Sequence, residues 1–359
     1  MKEIKSLTSL RGIAALAVVM QHFSTTAQKH ASITIPSLVP HGYLAVDFFF
    51  VLSGFIMCYT YLATFKQLGW SAYPDFLFRR AIRLLPLNVF VTATLLVLGW
   101  ISTQSLQRNI FFVDIRIPFD ILTNLLMLQG LGIGRNMNGP AWSVSAEFLA
   151  YFSFPVLIFG VFSSRIKIVV LSTTAASAGL LFVAMSNSRL GLSAEDPLLG
   201  GMRCLSEFTW GMLAYLLWAR PTVSAWLGRD RITLALLAAT AALLVVRIDL
   251  LVVALFPFLI IAVAHNKGKA NACLCAPVFY FLGLISYSLY LIHNAFRPVA
   301  LMLIQAWHPQ PLGIATALFF AAIGSLAVVP FAWLTYRWIE HPSREWLRGM
   351  AISRRYLSI

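Results

Sequence analysis

Ten apolar runs of roughly bilayer-spanning length dominate this chain of 359 residues. They lie near 7–27, 42–64, 82–103, 141–163, 166–186, 200–219, 232–246, 249–265, 277–296 and 312–338. A helix needs about 20 apolar residues to cross the hydrocarbon core. Inside that core every backbone N–H and C=O must be satisfied within the fold, which leaves helices or a closed barrel. The period-two alternation of a barrel strand is absent. The expected fold is therefore all-α: a polytopic membrane protein, a bundle of about ten transmembrane helices. An eleventh run at 119–131 is too short to span and reads as a re-entrant or interfacial helix. Composition agrees, with 59% hydrophobic and 11% charged residues, against about 25% charged in soluble domains.

The net charge of +14 would point to nucleic acid in a soluble protein, but no basic domain outside the membrane is present to bind it. Basic residues instead collect on the cytoplasmic side of membrane proteins. With ten spans and a cytoplasmic N-terminus, eighteen Lys and Arg fall inside. Eight fall outside: Lys29, Arg108, Arg116, Arg135, Arg189, Arg203, Arg247 and Arg297. That bias supports an even number of spans and cytoplasmic N- and C-termini. The first run contains Arg11 and lacks a small-residue cleavage site, so it is expected to stay as a first span rather than leave as a signal peptide. A membrane domain over 1–345 and a short basic tail over 346–359 complete the expected organisation. Cys58, Cys204, Cys273 and Cys275 make neither a disulfide framework nor a zinc set, and no metal is expected.

Ionisable groups inside spans cost about 2.5–3.5 kcal/mol each at a helix centre, so they mark candidate sites. Arg11 and His22 are eleven residues apart, about 16 Å along a helix and on one face. Counting residues inward from the outer surface brings His22, Asp47, Glu147, Glu207 and the His293–Asn294 pair to a similar depth. A histidine beside a carboxylate is a tuned base with a fixed tautomer, and Asp47 and Glu147 are equal candidates for that carboxylate. For Glu207 and His293 taken singly, a helix-packing hydrogen bond is the plainer reading. A second cluster, Arg79, Arg80 and Arg83, opens the third span. Positive-inside anchoring explains it; so does a phosphate clamp, since the guanidinium fork suits phosphate. No Walker or dinucleotide glycine pattern accompanies it.

These residues carry a resemblance. Ser9-Leu10-Arg11-Gly12-Ile13-Ala14-Ala15, with His22 eleven residues beyond Arg11, resembles the opening of the acyltransferase 3 family. Gly42 to Phe55, with Asp47 inside it, is similar to that family's second helix, and Arg79-Arg80-Ala81-Ile82-Arg83-Leu84-Leu85-Pro86 to its arginine motif. Pro140-Ala141-Trp142-Ser143-Val144-Ser145-Ala146-Glu147 resembles its tryptophan–serine–glutamate helix. Ser286 to His293 and Tyr336 to Pro342 resemble its last two blocks. The resemblance implies ten transmembrane helices in a bacterial inner membrane. It implies O-acyl transfer, acetyl by default, from acyl-CoA to a hydroxyl of an envelope or exported polysaccharide or glycolipid. His22 would then be the base, with Asp47 or Glu147 orienting it. Arg79, Arg80, Arg83 and Arg11 would hold the donor, and Trp142, Ser143, Tyr287 and His293 would contact substrate. A C-terminal esterase-like domain found in some members is not expected here, and Glu207 departs from the family's apolar residue. The competing class is a proton-coupled transporter of a lipid-linked sugar or anion, for which no inverted repeat is evident. A sensor would need a cytoplasmic output module.

Overall fold

The computed structural model describes residues 3–31, 34, 36–37, 39, 41–111, 118–186, 192, 196–246 and 248–357. Lys2, Arg116, Arg189 and Arg247 of the charge balance lie outside the described residues, as do the side chains of Arg354 and Arg355. Among the described residues the chain forms helices and no strand. They are α1 (Lys5–Gln28), α2 (Ala45–Leu68), α3 (Tyr73–Leu106), α4 (Phe119–Leu125), α5 (Ala141–Val161), α6 (Ile166–Ser186), α7 (Pro197–Trp218), α8 (Pro221–Leu227), α9 (Asp230–Val246), α10 (Asp249–His265), α11 (Lys269–Leu274), α12 (Pro277–Trp307), α13 (Ile314–Thr335) and α14 (His341–Leu357). The short run at 119–131 becomes α4 and a 3-10 turn at Gln129–Leu131. The residues 346–357 continue α14 as helix.

Each of the ten apolar runs forms one helix, but ten spans do not follow from length and hydropathy. On those grounds five stretches among the described residues are long and apolar enough to cross a membrane: Gly42–Leu106, Ala141–Val161, Ile166–Ser186, Pro277–Trp307 and Ile314–Met350. The first of these contains both α2 and α3. Helices α9 and α10, at 17 residues each, fall short of the usual 20 or so. Helices α1 and α7 are long enough but carry Arg11 and His22, and Arg203 and Glu207. Outward-facing apolar side chains mark the protein's solvent. Phe159, Leu171 and Met185 are each more than two-thirds exposed, a surface a soluble monomer seldom presents.

Local chemistry sets the helix ends. Asp196 caps α7 by accepting from Leu198 N and Leu199 N, with Pro197 in the first turn where no N–H is needed. The Asp230 carboxylate accepts from Lys269 N and Ala270 N at 2.7 and 3.0 Å, satisfying the first turn of α11.

The chain divides into two compact units. The first comprises Met1–Gln21, Val39–Tyr73 and Leu149–Ser286. Its α2 and α7 touch through backbone: a Cβ on Gly54 would overlap the Phe208 carbonyl, and one on Gly211 would overlap the Val51 carbonyl. Small residues allow such approach where lipid supplies no hydrophobic drive between helices. Gly211→Val is therefore expected to lower stability by about 3 kcal/mol or more, beyond ordinary overpacking, read as a drop in the thermal midpoint of the detergent-solubilised protein. In the same unit Gly12 packs on the backbone of Gly283, while Arg11 Nε and Nη2 donate to Ser286 Oγ and Gly283 O, both at 2.9 Å. The Arg11-Gly12 pair is thus a close-contact seam between α1 and α12. The second unit comprises His22–Leu38, Pro74–Phe148 and Tyr287–Ile359.

Candidate active site

The second unit holds a chain of hydrogen bonds built on the middle of α12. His293 is fully buried, and its Nδ1 lies 2.7 Å from the Tyr290 carbonyl oxygen one turn back. A carbonyl only accepts, so Nδ1 carries the hydrogen and the neutral ring presents a lone pair at Nε2. His22 Nδ1 lies 2.7 Å from that nitrogen, with the two rings stacked at 5.0 Å between centroids. In the neutral relay His22 Nδ1–H must donate, which leaves its Nε2 as the acceptor. Two neutral imidazoles and one peptide carbonyl fix both tautomers, a task more often given to a carboxylate.

The surrounding residues hold this relay in place. Tyr290 also places its hydroxyl 2.7 Å from Ser143 Oγ. Ser143 donates to the Pro140 carbonyl at 3.1 Å, so the tyrosine is the donor. Asn138 Nδ2 donates to Leu291 O at 3.0 Å. Thr25 and Thr26 hydroxyls donate to His22 O at 2.7 and 2.9 Å. Arg297, one turn beyond His293, donates to Thr26 Oγ1 at 3.0 Å and Asn294 Oδ1 at 3.1 Å. Arg297 is absent from the sequence-based site. Its four-residue spacing from His293 on α12 was the available signal. Trp142 and Glu147 lie on the first two turns of α5, partly exposed. Tyr287 donates to the Leu84 carbonyl at 2.7 Å, tying α12 to the turn that follows Arg83.

Asp47 belongs to the first unit. It is wholly buried, with both oxygens bound by Arg203: Nε donates to Oδ1 at 2.6 Å and Nη2 to Oδ2. Arg203 Nη1 donates to Leu192 O at 2.5 Å. Glu207 Oε1 is 3.7 Å from Arg203 Nε. Of the two carboxylates expected beside His22, Asp47 is thus bonded to Arg203, while His22 is bonded to His293. Arg203, counted on the outer surface in the charge balance, is a buried cation of α7. Glu207, unexplained by the resemblance, is the third member of its network.

The arginine motif opens α3 in the second unit. Arg79 Nε donates to Asp75 Oδ2 at 2.8 Å; Arg80 is buried and Arg83 partly exposed. Arg344 on α14 interacts electrostatically with both Arg83 and Arg348, so α14 adds two cations that are absent from the sequence-based site, the second of them in the tail. A π-helical turn at Tyr336–Glu340 joins α13 to α14. It buries Glu340, which accepts from Ser288 Oγ at 2.7 Å and Arg344 Nη1 at 3.3 Å. Such turns often mark functional sites. Among the described residues no group of His, Cys, Asp and Glu is placed to hold a metal ion.

Fold and site define a polytopic membrane protein with a histidine relay buried among its helices. The chain belongs to the acyltransferase 3 family, whose acyltransferase domain matches residues 4–337. A protein described as a putative O-acetyltransferase of Staphylococcus aureus (strain COL) is 24% identical over 381 residues, covering 96% of this chain. The acyltransferase MdmB of Streptomyces mycarofaciens is 29% identical over 163 residues, 43% of this chain and 38% of its own length. The chain spans 58% of the staphylococcal relative's length. No solved structure matches the chain.

Proposed function

We propose that the chain is an integral membrane O-acyltransferase. It moves an acyl group, acetyl in the simplest case, from cytoplasmic acyl-CoA to a hydroxyl of an envelope or exported polysaccharide or glycolipid. The bundle has ten transmembrane helices in a bacterial inner membrane, with both termini in the cytoplasm. The observation that carries this reading is the lone pair left on His22 Nε2 by the His293–Tyr290 relay.

His22 Nε2 takes the acceptor's hydroxyl proton as the oxygen attacks the thioester carbonyl carbon. The C–O bond forms, the C–S bond breaks, and the imidazolium returns the proton to the departing thiolate. The products are an ester and free coenzyme A. During the step the positive charge on His22 is shared through Nδ1–H with His293, whose own N–H rests on the Tyr290 carbonyl. Ser143 and Trp142, at the start of α5, border the acceptor, with Glu147 one turn further along. Arg80, Arg83, Arg344 and Arg348 bind the donor's phosphates, a role suited to forked, permanently charged side chains. Asp47 and Arg11 hold helices together. In this reading a second histidine stands next to the base, where Asp47 was one of the two carboxylates expected from sequence.

The test is compositional mass spectrometry of envelope glycans from cells with and without the chain. A gain of one acyl group per repeat is expected; identical glycans would sink the proposal. A finer prediction concerns the donor. Arg83→Ala is expected to raise the KM for acyl-CoA about 10–100-fold, the range for a lost charged hydrogen bond, with kcat changed less. The effect should shrink with a donor lacking the 3′-phosphate. Equal losses for both donors would assign Arg83 to anchoring instead.

A further inference from the structure

The first unit holds a polar cluster of its own. His41 has φ of 51°, a left-handed conformation that non-glycine residues seldom hold without a reason. Its Nδ1 lies 2.7 Å from Asp249 Oδ1. Tyr43 OH donates to Asp249 Oδ2 at 2.5 Å, and Leu192 N donates to the same oxygen at 2.9 Å. The buried Asp249 therefore already accepts from three donors and offers little to a cation. With Nδ1–H committed to Asp249, Nε2 is the ring atom left for a ligand, and it accepts a hydrogen bond in the tautomer that carries its one hydrogen on Nδ1. No described residue bonds to that nitrogen.

His41 also forms part of the wall of a cavity of about 190 Å³ between α1, α2, α9 and α10. The rest of that wall is almost entirely apolar, including Leu10, Ile13, Leu244 and Phe256, and alanines such as Ala14 and Ala241 leave the space. Ala241 and Leu244 are exposed or partly exposed on α9, so the cavity can be entered at the α9 surface, where Leu234, Val245 and Val246 are exposed and apolar as well. A cavity of ~150 Å³ with such walls stays dry and takes up benzene. The volume here therefore accepts a chain segment of about six carbons or slightly more. It is too apolar to hold water in its depth.

We propose that this cavity binds one alkyl chain of a neutral, hydroxyl-headed lipid, the class of a monoacylglycerol, with the head hydroxyl donating to His41 Nε2. The apolar wall selects the chain. The acceptor nitrogen selects a donor head. The wall carries neither a lysine or arginine for an anionic head nor a carboxylate for a cationic one. The assignment is independent of the transfer reaction and of the histidine relay.

The test uses the full chain in phosphatidylcholine nanodiscs with a monoacylglycerol carrying a photoreactive diazirine in its alkyl chain. After irradiation, peptide mass spectrometry should find label concentrated on residues 10–17 of α1 and 237–244 of α9. Ala14→Phe, which fills the space, should reduce labelling about tenfold. His41→Asn should reduce it several-fold, asparagine being tolerant of the left-handed conformation. Unlabelled monoacylglycerol should compete, and the methyl ester of the same fatty acid, which lacks the hydroxyls, should compete poorly. If Ala14→Phe does not fold, Ala241→Phe on the exposed α9 face fills the same space. Labelling spread evenly over exposed helices, or unchanged in a folded space-filling variant, would overturn the cavity assignment. Equal competition by the methyl ester, or full labelling of His41→Asn, would overturn the head-group assignment.

Discussion

His22→Ala is expected to slow acyl transfer about 10²–10⁴-fold, the usual contribution of a positioned general base, while the protein stays folded and inserted. The side chain contributes one hydrogen bond to His293 and a stacked ring, so its loss costs little packing. Donor KM should change little, because the proposed phosphate contacts lie on α3 and α14. Neighbouring variants separate base chemistry from simple packing. His293→Gln can present a carbonyl oxygen to His22 Nδ1–H and should keep much of the rate. His293→Leu leaves that N–H unpaired and free to move to the other nitrogen, and should approach the His22→Ala loss. Steady-state transfer with purified protein and acyl-CoA gives these numbers. A His22→Ala enzyme working near the wild-type rate would remove His22 as the base.

Arg203→Met is expected to destabilise the protein by about 3–5 kcal/mol, because it strands the Asp47 carboxylate in the interior without a counter-charge. Asp47 and Arg203 are 0% and 2% exposed, so neither can turn to solvent. Removing all three charges together, as Asp47→Asn and Glu207→Gln with Arg203→Met, should recover much of the loss, since a buried ionic group is often worth little against uncharged replacements. Glu207→Gln should cost less than Arg203→Met, because it leaves both bonds between Arg203 and Asp47 in place. Thermal unfolding in detergent measures all three. An unchanged midpoint for Arg203→Met would show that water reaches the pair. If Asp47 acts in catalysis, Asp47→Asn should lose rate without losing stability, the reverse of what this burial leads us to expect.

The helices were legible where apolar runs end abruptly. The bounds of α6 and α10 coincide with the runs at 166–186 and 249–265, and α5 begins at Ala141 as the motif indicated. Elsewhere a run of hydrophobicity was a poor ruler. Helix α3 starts at Tyr73 rather than near 82, because the arginine-rich turns before the apolar stretch are helical too. Helix α12 continues to Trp307 past Arg297 and Pro298; an internal proline removes a single helical hydrogen bond and need not end a helix. The site was legible by depth but not by neighbour. Charge cost and helical spacing singled out His22, Asp47 and His293, yet nothing in spacing says which helices touch. The usual preference for a carboxylate beside a catalytic histidine therefore offered Asp47 or Glu147 as the partner of His22. The Asp47 partner had a signal of its own: Arg203 and Glu207, four residues apart inside an apolar run, form the i,i+4 pairing expected of a buried ionic network.

The buried ion pair has a consequence in time. Asp47 and Arg203 are 156 residues apart in the chain. At a synthesis rate of about 5–20 residues per second, roughly 8–30 s separate the emergence of the acid from that of its partner. Throughout that interval α2 carries a carboxylate that hydrocarbon does not tolerate uncharged-for, and the two glycine seams that seat α7 against it cannot yet form. The helix must wait in a wet or protein-lined place until the later helix arrives. Release into the lipid is then tied to the completion of more than half the protein, a built-in check that only a chain extended past α7 can clear.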